Sequence, residues 1–588
     1  MDKNRLYYGD NLKVLKDQGS HRIDSESVDL IYLDPPFNSE QIYNVVFATA
    51  PGDPSAQIHA FDDTWKWTTE TSSTYNFLVN EGGLPSAPAE ALRAVRTLVS
   101  ETPMTAYMTN MAPRLVELHR VLKSTGSLYL HCDPSASHYL KIMLDAIFGP
   151  RCFRSEIIWR RTGAHGKARR WTPVHDVILF YTKTDGDGYT WNRPTLPYMK
   201  GHVEEYFEQD GDEWRTAYYG NVMTGSGLRG GESGKPWKGI DPSAKGRHWA
   251  IPGKLVEDAG EDFTGMSQHE KLDRLYELGF ITIEPGEAWP IYSHTIKPSD
   301  GVTAPDIWAY QPYTEGTVFD LAAPDFTSSR GIDADVRWLS PRDRERMGYP
   351  TQKPVGLLER IIKASSNPGD VVLDPFCGCG TTLDAAIRTG RRWIGIDITY
   401  IAVDLIRNRL ETTHGSAIED TYDVLGVPED LAAAHALFER DPLDFERWAV
   451  SLVRGTPNRK QIADRGIDGN IRYYRGKKEK PGRIAVSVKG GKQLNPQMVR
   501  DLGGVVAQDD SIDGGVLITL WKPTRGMLQA ADTAGTYEDI VKNSYPKLQI
   551  LTVEELLNGA RASTPTVIPP YTEARPVEEV VEQLELGF

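Results

Sequence analysis

Asp370-Val-Val-Leu-Asp374 runs straight into Pro-Phe-Cys-Gly-Cys-Gly-Thr-Thr382 and then into Leu383-Asp-Ala-Ala-Ile387, and this passage decides the fold. A short apolar run closed by a carboxylate reads as a buried strand, the glycines as a tight turn, and the following residues as a helix stopping at Gly390, a natural C′ residue. Glycines at 378 and 380 are expected to let the backbone approach a ligand more closely than any Cβ permits. The next strand, Arg392-Trp-Ile-Gly-Ile-Asp397, also ends in an acid, where a carboxylate can bind ribose hydroxyls. The pattern predicts a nucleoside-cofactor crevice at the carboxyl ends of parallel strands. On spacing alone a nicotinamide cofactor would suit it equally.

The same rhythm fills residues 1–190. Val28-Asp-Leu-Ile-Tyr-Leu-Asp34 is another apolar run closed by a carboxylate, and Met111 to Leu122 has helical spacing with Leu115, Leu118 and Leu122 on one face. Gly126-Ser-Leu-Tyr-Leu-His131 reads as a strand, His138 to Phe148 as a helix, and Asp176-Val-Ile-Leu-Phe-Tyr181 as a further strand. Such alternation predicts an α/β fold, a doubly wound and mostly parallel sheet with helices on both faces. Residues 191–345 break it: Trp, Tyr, Gly and Pro are frequent, and Gly225-Ser-Gly-Leu-Arg-Gly-Gly231 holds too many turn formers for regular elements, so an irregular insertion is expected. The α/β pattern resumes at 346–411. A linker is expected at 412–436, a small α/β domain at 437–560, and a flexible tail at 561–588 with Pro565, Pro569, Pro570 and Pro576.

With 588 residues the chain exceeds one core, and 40% hydrophobic with 25% charged residues describes an ordinary globular protein. No run of eighteen apolar residues and no leader-like N-terminus is found, so a cytoplasmic protein without a membrane span is expected. Cys132, Cys152, Cys377 and Cys379 suit a reducing compartment, and the C-x-C lacks a second pair at zinc spacing. The net charge of −15 hides two basic stripes: residues 151–200 hold ten Lys/Arg against four Asp/Glu, and residues 471–500 nine against one. Local basic surface, rather than net charge, decides phosphate binding.

Asp34-Pro-Pro-Phe37 closes the first strong strand. An exocyclic amino nitrogen on a nucleobase is a poor nucleophile because its lone pair is delocalised into the ring. A carboxylate at Asp34 and a backbone carbonyl at Pro35 can each accept one N–H, favouring a more pyramidal nitrogen. Pro35 and Pro36 stiffen the loop, which suits preorganised acceptors, and Phe37 supplies a flat face for a base taken out of the duplex.

With both motifs in view, the chain resembles the β class of DNA amino-methyltransferases, whose catalytic motif precedes the cofactor motif in a permuted order. Gly9-Asp10, Gly126-Ser-Leu-Tyr-Leu-His-Cys-Asp133 and Thr351-Gln-Lys-Pro354 resemble further motifs of that family, over residues 1–190 and 346–411. The resemblance implies S-adenosylmethionine as methyl donor, held by Asp10, Lys353, Asp374, Phe376, Gly378, Gly380, Thr381 and Asp397. It implies methyl transfer at Asp34, Pro35, Pro36 and Phe37 without a metal, in a restriction–modification context. Asp rather than Ser at position 34 is closer to adenine-N6 enzymes than to cytosine-N4 ones, the alternative. The insertion would select the DNA sequence through the major groove, with Lys167, Arg169, Arg170, Arg229 and Arg247 as DNA contacts. His131 is expected to be an internal hydrogen-bonding residue, and Trp65 and Trp67 packing residues.

Residues 440–535 resemble the Mrr-like branch of the restriction-endonuclease fold. Glu446, Asp468 and Lys489 match the family's residues for Mg²⁺ binding and water activation, with the metal at Asp468. Ser487 stands where the family has Gln or Glu, and a hydroxyl is a weaker ligand for a hard cation. The last residues, Gln583-Leu-Glu-Leu-Gly-Phe588, resemble peptides that dock on the replication sliding clamp, with Gln583, Leu586 and Phe588 as contacts. Expected partners are therefore double-stranded DNA, the sliding clamp and a second copy of the chain. A methyltransferase that also cleaves DNA, and a DNA-binding or clamp-recruited module without transfer, are the alternatives.

Overall fold

Val28-Asp-Leu-Ile-Tyr-Leu33 is buried along its whole length, as a strand covered on both faces must be. In the computed structural model it is the middle strand of a nine-stranded sheet. The structure describes residues 3–19, 21–36, 42–46, 57–62, 65–163, 169–206, 208–210, 213–219, 223–296, 301–311, 317–318, 327–328, 331–340, 343, 345–347, 349, 351–458, 466–475, 482–539 and 542–567.

In chain order the strands of the large sheet are β1 (Asn4–Tyr8), β2 (Val28–Leu33), β3 (Leu122–Cys132), β4 (Phe153–Arg160), β5 (His175–Thr182), β6 (Ile307–Trp308), β7 (Val371–Asp374), β8 (Arg392–Asp397) and β9 (Tyr422–Leu425). They lie side by side as β6-β4-β5-β3-β2-β7-β8-β1-β9. Every pairing is parallel except the two made by β5, which runs against β3 and β4. Alternate residues feed the two faces: Leu30 and Tyr32 enter one core, Ile31 and Leu33 the other.

Local chemistry sets the helix ends. Pro103 occupies the first turn of the helix Pro103–Val121, so it begins eight residues before the predicted Met111 and buries Tyr107, Met108, Met111, Leu115 and Leu118. Asp133 caps Pro134–Phe148 by accepting from Ser135 and Ala136 N–H groups.

Two compact units result. One comprises residues 1–192, 306–309 and 335–588, the other residues 193–305 and 310–334. The insertion expected at 191–345 therefore ends earlier than its predicted limit, and β6, from inside that range, adds the outermost strand beside β4. The second unit is also less irregular than its turn formers suggest. It holds a four-stranded sheet and a helix, Gln268–Glu277, started by a Ser267–Glu270 capping box. Met223, Trp237, Trp249, Leu255, Phe263 and Leu272 are among its core. Its tryptophans read from sequence as loop texture because they are spaced by contacts rather than by a helical or strand period.

Residues 412–436, expected as a linker, are structured. Tyr422–Leu425 forms β9 beside β1, and Leu431–Arg440 is a helix. Beyond it lies a five-stranded sheet of β10 (Thr456–Pro457), β11 (Gly469–Tyr473), β12 (Gly482–Lys489), β13 (Gly514–Thr519) and β14 (Leu548–Thr552), in that order. It shares a core with the large sheet: Trp393 and Tyr422 belong to the same buried cluster as Phe445, Trp448, Ile471 and Val486. Tyr8 donates its hydroxyl hydrogen to Asp444 across this junction. Among the described residues no helix is long and apolar enough to cross a membrane.

Candidate active site

Because β2 and β7 are parallel neighbours, with Leu30 opposite Val372 and Ile31 opposite Leu373, their carboxyl ends emerge together. Asp34 and Asp374, 340 residues apart in the chain, thus open onto one edge of the sheet. The loops there line a single cavity of about 330 Å³, within the range of small-molecule sites. Of the sequence-predicted residues, Asp10, Asp34, Pro35, Pro36, Lys353, Asp374, Phe376, Gly378, Thr381 and Asp397 line it. Phe37 lies outside the described residues.

The glycine loop is held by its own acids. Asp374 accepts from Phe376 N–H at 3.0 Å and from the Thr382 hydroxyl at 2.5 Å. Asp397 accepts from Gly378 N–H at 3.0 Å with one oxygen, and from Thr399 N–H and hydroxyl at 2.9 Å with the other. Burial pushes Asp374 up to about 7 against those hydrogen bonds, with the Asp34 and Asp397 charges adding to it. Burial likewise pushes Asp397 up to about 6. Gly378 has φ +49°, and a Cβ there would press on the Tyr349 ring at 3.2 Å. Gly380 is different from expectation: it does not line the cavity, and at φ +76° its missing Cβ makes room for Ile406, 2.9 Å away. Its role is the left-handed turn and close packing against the helix Tyr400–His414.

Asp10 caps the short helix Asn11–Lys16 through Leu12 N–H and is ion-paired with Arg114 at 2.8 Å. Arg114 also donates to Asn11 at 2.7 Å, and Asn11 to the Pro375 carbonyl at 2.8 Å, tying the first loop to the glycine loop. Sequence reasoning passed over Arg114, although a signal was present. It falls four residues before Leu118 on the apolar face of its helix, and a charge on a buried face demands a buried partner.

Asp34 carries the most telling arrangement. Its Oδ2 is paired with the Lys353 ammonium, while its Oδ1 is buried and accepts no hydrogen bond. Lys353, expected beside the cofactor, is therefore at the carboxylate of the Asp-Pro-Pro loop. Below it Tyr32 donates or accepts at His131 Nδ1, 2.9 Å away, and His131 Nε2 lies 3.2 Å from Asp176, so His131 is internally bonded. Trp65 and Trp67 pack edge-on against Tyr107 and Tyr75.

The C-terminal candidates also meet. Lys489 Nζ is 3.8 Å from Asp468 Oδ2, and the Ser487 hydroxyl donates to the same oxygen at 3.3 Å and to the Gly466 carbonyl at 2.7 Å. Burial pushes Glu446 up to about 7, with the Asp468 charge adding and Lys489 opposing. Among the described residues, no group of three or more His, Cys, Asp or Glu side chains is placed to hold a metal ion.

Arg169 and Arg170 are exposed, beside Trp171, which is 98% exposed. They lie between β4 and β5, at the same sheet edge as the cavity, because β4 runs parallel to β2 through β5 and β3. Arg229 is exposed, whereas Arg247 is half-buried and donates to the Thr224 hydroxyl and carbonyl at 2.5 and 3.0 Å. Lys167, Gln583, Leu586 and Phe588 lie outside the described residues.

A family model described as DNA methylase matches residues 28–408. The type II methyltransferase M.EcaI of Enterobacter cloacae is 30% identical over 52% of this chain and 57% of its own length. The Mod subunit of the type III restriction-modification enzyme StyLTI of Salmonella typhimurium is 24% identical over 65% of this chain and 50% of its own. The DNA adenine methyltransferase YhdJ of Escherichia coli is 51% identical over 14% of this chain and 30% of its own. The chain thus spans about half the length of the first two relatives.

Proposed function

We propose that this chain, which belongs to the DNA methylase family, transfers a methyl group to the exocyclic N6 of adenine in double-stranded DNA. The observation that carries the reading is the buried Asp34 Oδ1, an acceptor without a donor on a residue that lines a cofactor-sized cavity. A buried carboxylate oxygen without a partner is costly, and an incoming amino N–H would satisfy it.

The cavity residues fit S-adenosylmethionine. Acids at Asp10 and Asp397 offer acceptors, and the loop at Phe376 and Gly378 borders the space without a side chain at 378. When bound, that group supplies an electrophilic methyl on a sulfonium. Asp34 and the Pro35 carbonyl then orient the amino group so that its lone pair points at the methyl carbon. The amino nitrogen would gain that methyl and give up its surplus proton to water, with Asp34 and the Pro35 carbonyl holding its hydrogens in place. The order of the motifs, Asp-Pro-Pro before the glycine loop, supports the permuted arrangement. Arg169, Arg170 and Trp171 are suited to DNA at the same edge, as phosphate-binding cations beside a stacking ring. The second compact unit is read as the part that selects sequence.

The test is direct. Purified protein, tritiated S-adenosylmethionine and unmethylated DNA are incubated, and the nucleosides are separated by mass. N6-methyladenine is the expected product. N4-methylcytosine would replace adenine as the target, and DNA without label would end the reading.

For the C-terminal domain a non-cleaving, DNA-holding role is favoured. Asp468 Oδ2 already accepts from Val488 N–H and faces Lys489, and Ser487 stands where the family has Gln or Glu, so no hydrolytic step is routed through Mg²⁺ here. Plasmid incubated with the protein and Mg²⁺ should stay supercoiled; nicks that disappear in Asp468→Asn would restore the nuclease reading.

A further inference from the structure

Thr351-Gln-Lys-Pro354 brings an ammonium to a carboxylate from a strand 319 residues earlier. Lys353 is 8% exposed, so its pairing with Asp34 is shielded from solvent. The chain on either side of the lysine is tied down. Gln352 accepts from Met347 N–H and donates to the Glu345 carbonyl, each at 2.7 Å, and the Glu345 carboxylate accepts from Val355 N–H at 2.7 Å. These bonds fix the point on the backbone from which the lysine side chain leaves. Asp374, Tyr32 and Tyr349 line the same cavity as this carboxylate, and none of them donates to its Oδ1.

We infer that Lys353 is a positioning residue for methyl transfer: it holds Asp34 by Oδ2 and so presents Oδ1 as the acceptor for one N–H of the target amino group. A carboxylate with two open oxygens would take an amino group in two registers. Fixing one oxygen leaves a single register, the one in which the lone pair faces the methyl donor. This rests on the reading of Asp34 given above.

Full-length Lys353→Met and Lys353→Arg are compared with wild type, using tritiated S-adenosylmethionine and unmethylated plasmid. The Met variant should lose about 100-fold in kcat, the scale of one preorganised partner, while its calorimetric Kd for S-adenosylmethionine stays within about twofold. The Arg variant should recover most of the rate, because a guanidinium also pairs with a carboxylate. Wild-type kcat in the Met variant would overturn the inference. So would a loss of cofactor affinity as large as the loss in kcat/KM, which would make Lys353 a cofactor ligand. If wild type transfers no label, the reading of Asp34 falls by itself. The ion pair is then read from thermal unfolding of Lys353→Met, Asp34→Asn and the double variant: non-additive losses support it, additive losses overturn it.

Discussion

Asp34 and Asp468 each face a lysine, and the use of their oxygens separates them. Asp468 Oδ2 accepts from Val488 N–H at 2.6 Å and from the Ser487 hydroxyl at 3.3 Å, with Lys489 at 3.8 Å. The chain itself consumes that oxygen. Asp34 gives one oxygen to Lys353 and keeps the other buried without a donor. Residue type is the same in the two places, although Lys353 lies 319 residues from Asp34 and Lys489 only 21 from Asp468. What differs is that the fold leaves Asp34 Oδ1 as a buried acceptor without a donor.

The largest expected effect breaks or confirms this contrast. Asp34→Ala should lower methyl transfer by about 1,000-fold or more with cofactor binding retained, whereas Asp468→Ala should leave transfer nearly unchanged. Equal losses in radiolabel incorporation would erase the distinction.

A second prediction concerns the frame around each acid. The glycine-loop helix is anchored by Asp384, 1% exposed, which is paired with Arg409 at 3.1 Å and with His414 at 2.9 Å. Burial opposes its ionisation, and the Arg409 charge with the His414 and Arg388 hydrogen bonds nevertheless holds it well below the usual carboxylate range. Arg409→Ala should cost about 3 kcal/mol in denaturant unfolding, because it leaves a buried charge short of its main partner. An acid with a depressed folded value stabilises above its unfolded value, so this loss should shrink as pH falls below about 4. A pH-independent loss would mean that Arg409 acts by packing alone.

The smallest effect belongs to the C-terminal cluster. Glu446 is raised to about 7, so the folded form holds a proton that the unfolded chain releases near its ordinary value. Its contribution to stability is therefore greatest at low pH and declines between about pH 4.5 and 7. Glu446 is half-exposed, so the decline should be of the order of 1 kcal/mol after screening. Glu446→Gln should flatten that part of the wild-type profile in thermal melts across the window; an unchanged slope would show that Glu446 is not raised in the fold.

The strand–turn–helix at 370–387, the strand into Asp34 and the helix over Leu115 and Leu118 were legible because period, caps and turn formers are local properties. Acids at strand ends near glycine turns were legible for the same reason, and so was the likeness of Glu446, Asp468 and Lys489 to a cluster. Other features were not. Tyr422–Leu425 looks like linker because four residues carry too little period to announce a strand, and only the free edge of β1 makes them one. Gly380 looks like a ligand-facing glycine because its neighbour Ile406 lies on a later helix.

By itself, then, the amino-acid order determined the alternating α/β elements and the two loops that end in Asp34 and begin after Asp374. Which loops share an edge, that Lys353 reaches Asp34 rather than only a cofactor, and that Asp34 Oδ1 is left without a donor were decided by tertiary structure. The reason is physical. Pairing of strands and satisfaction of buried polar atoms join residues hundreds of positions apart, and no window along the chain contains both partners.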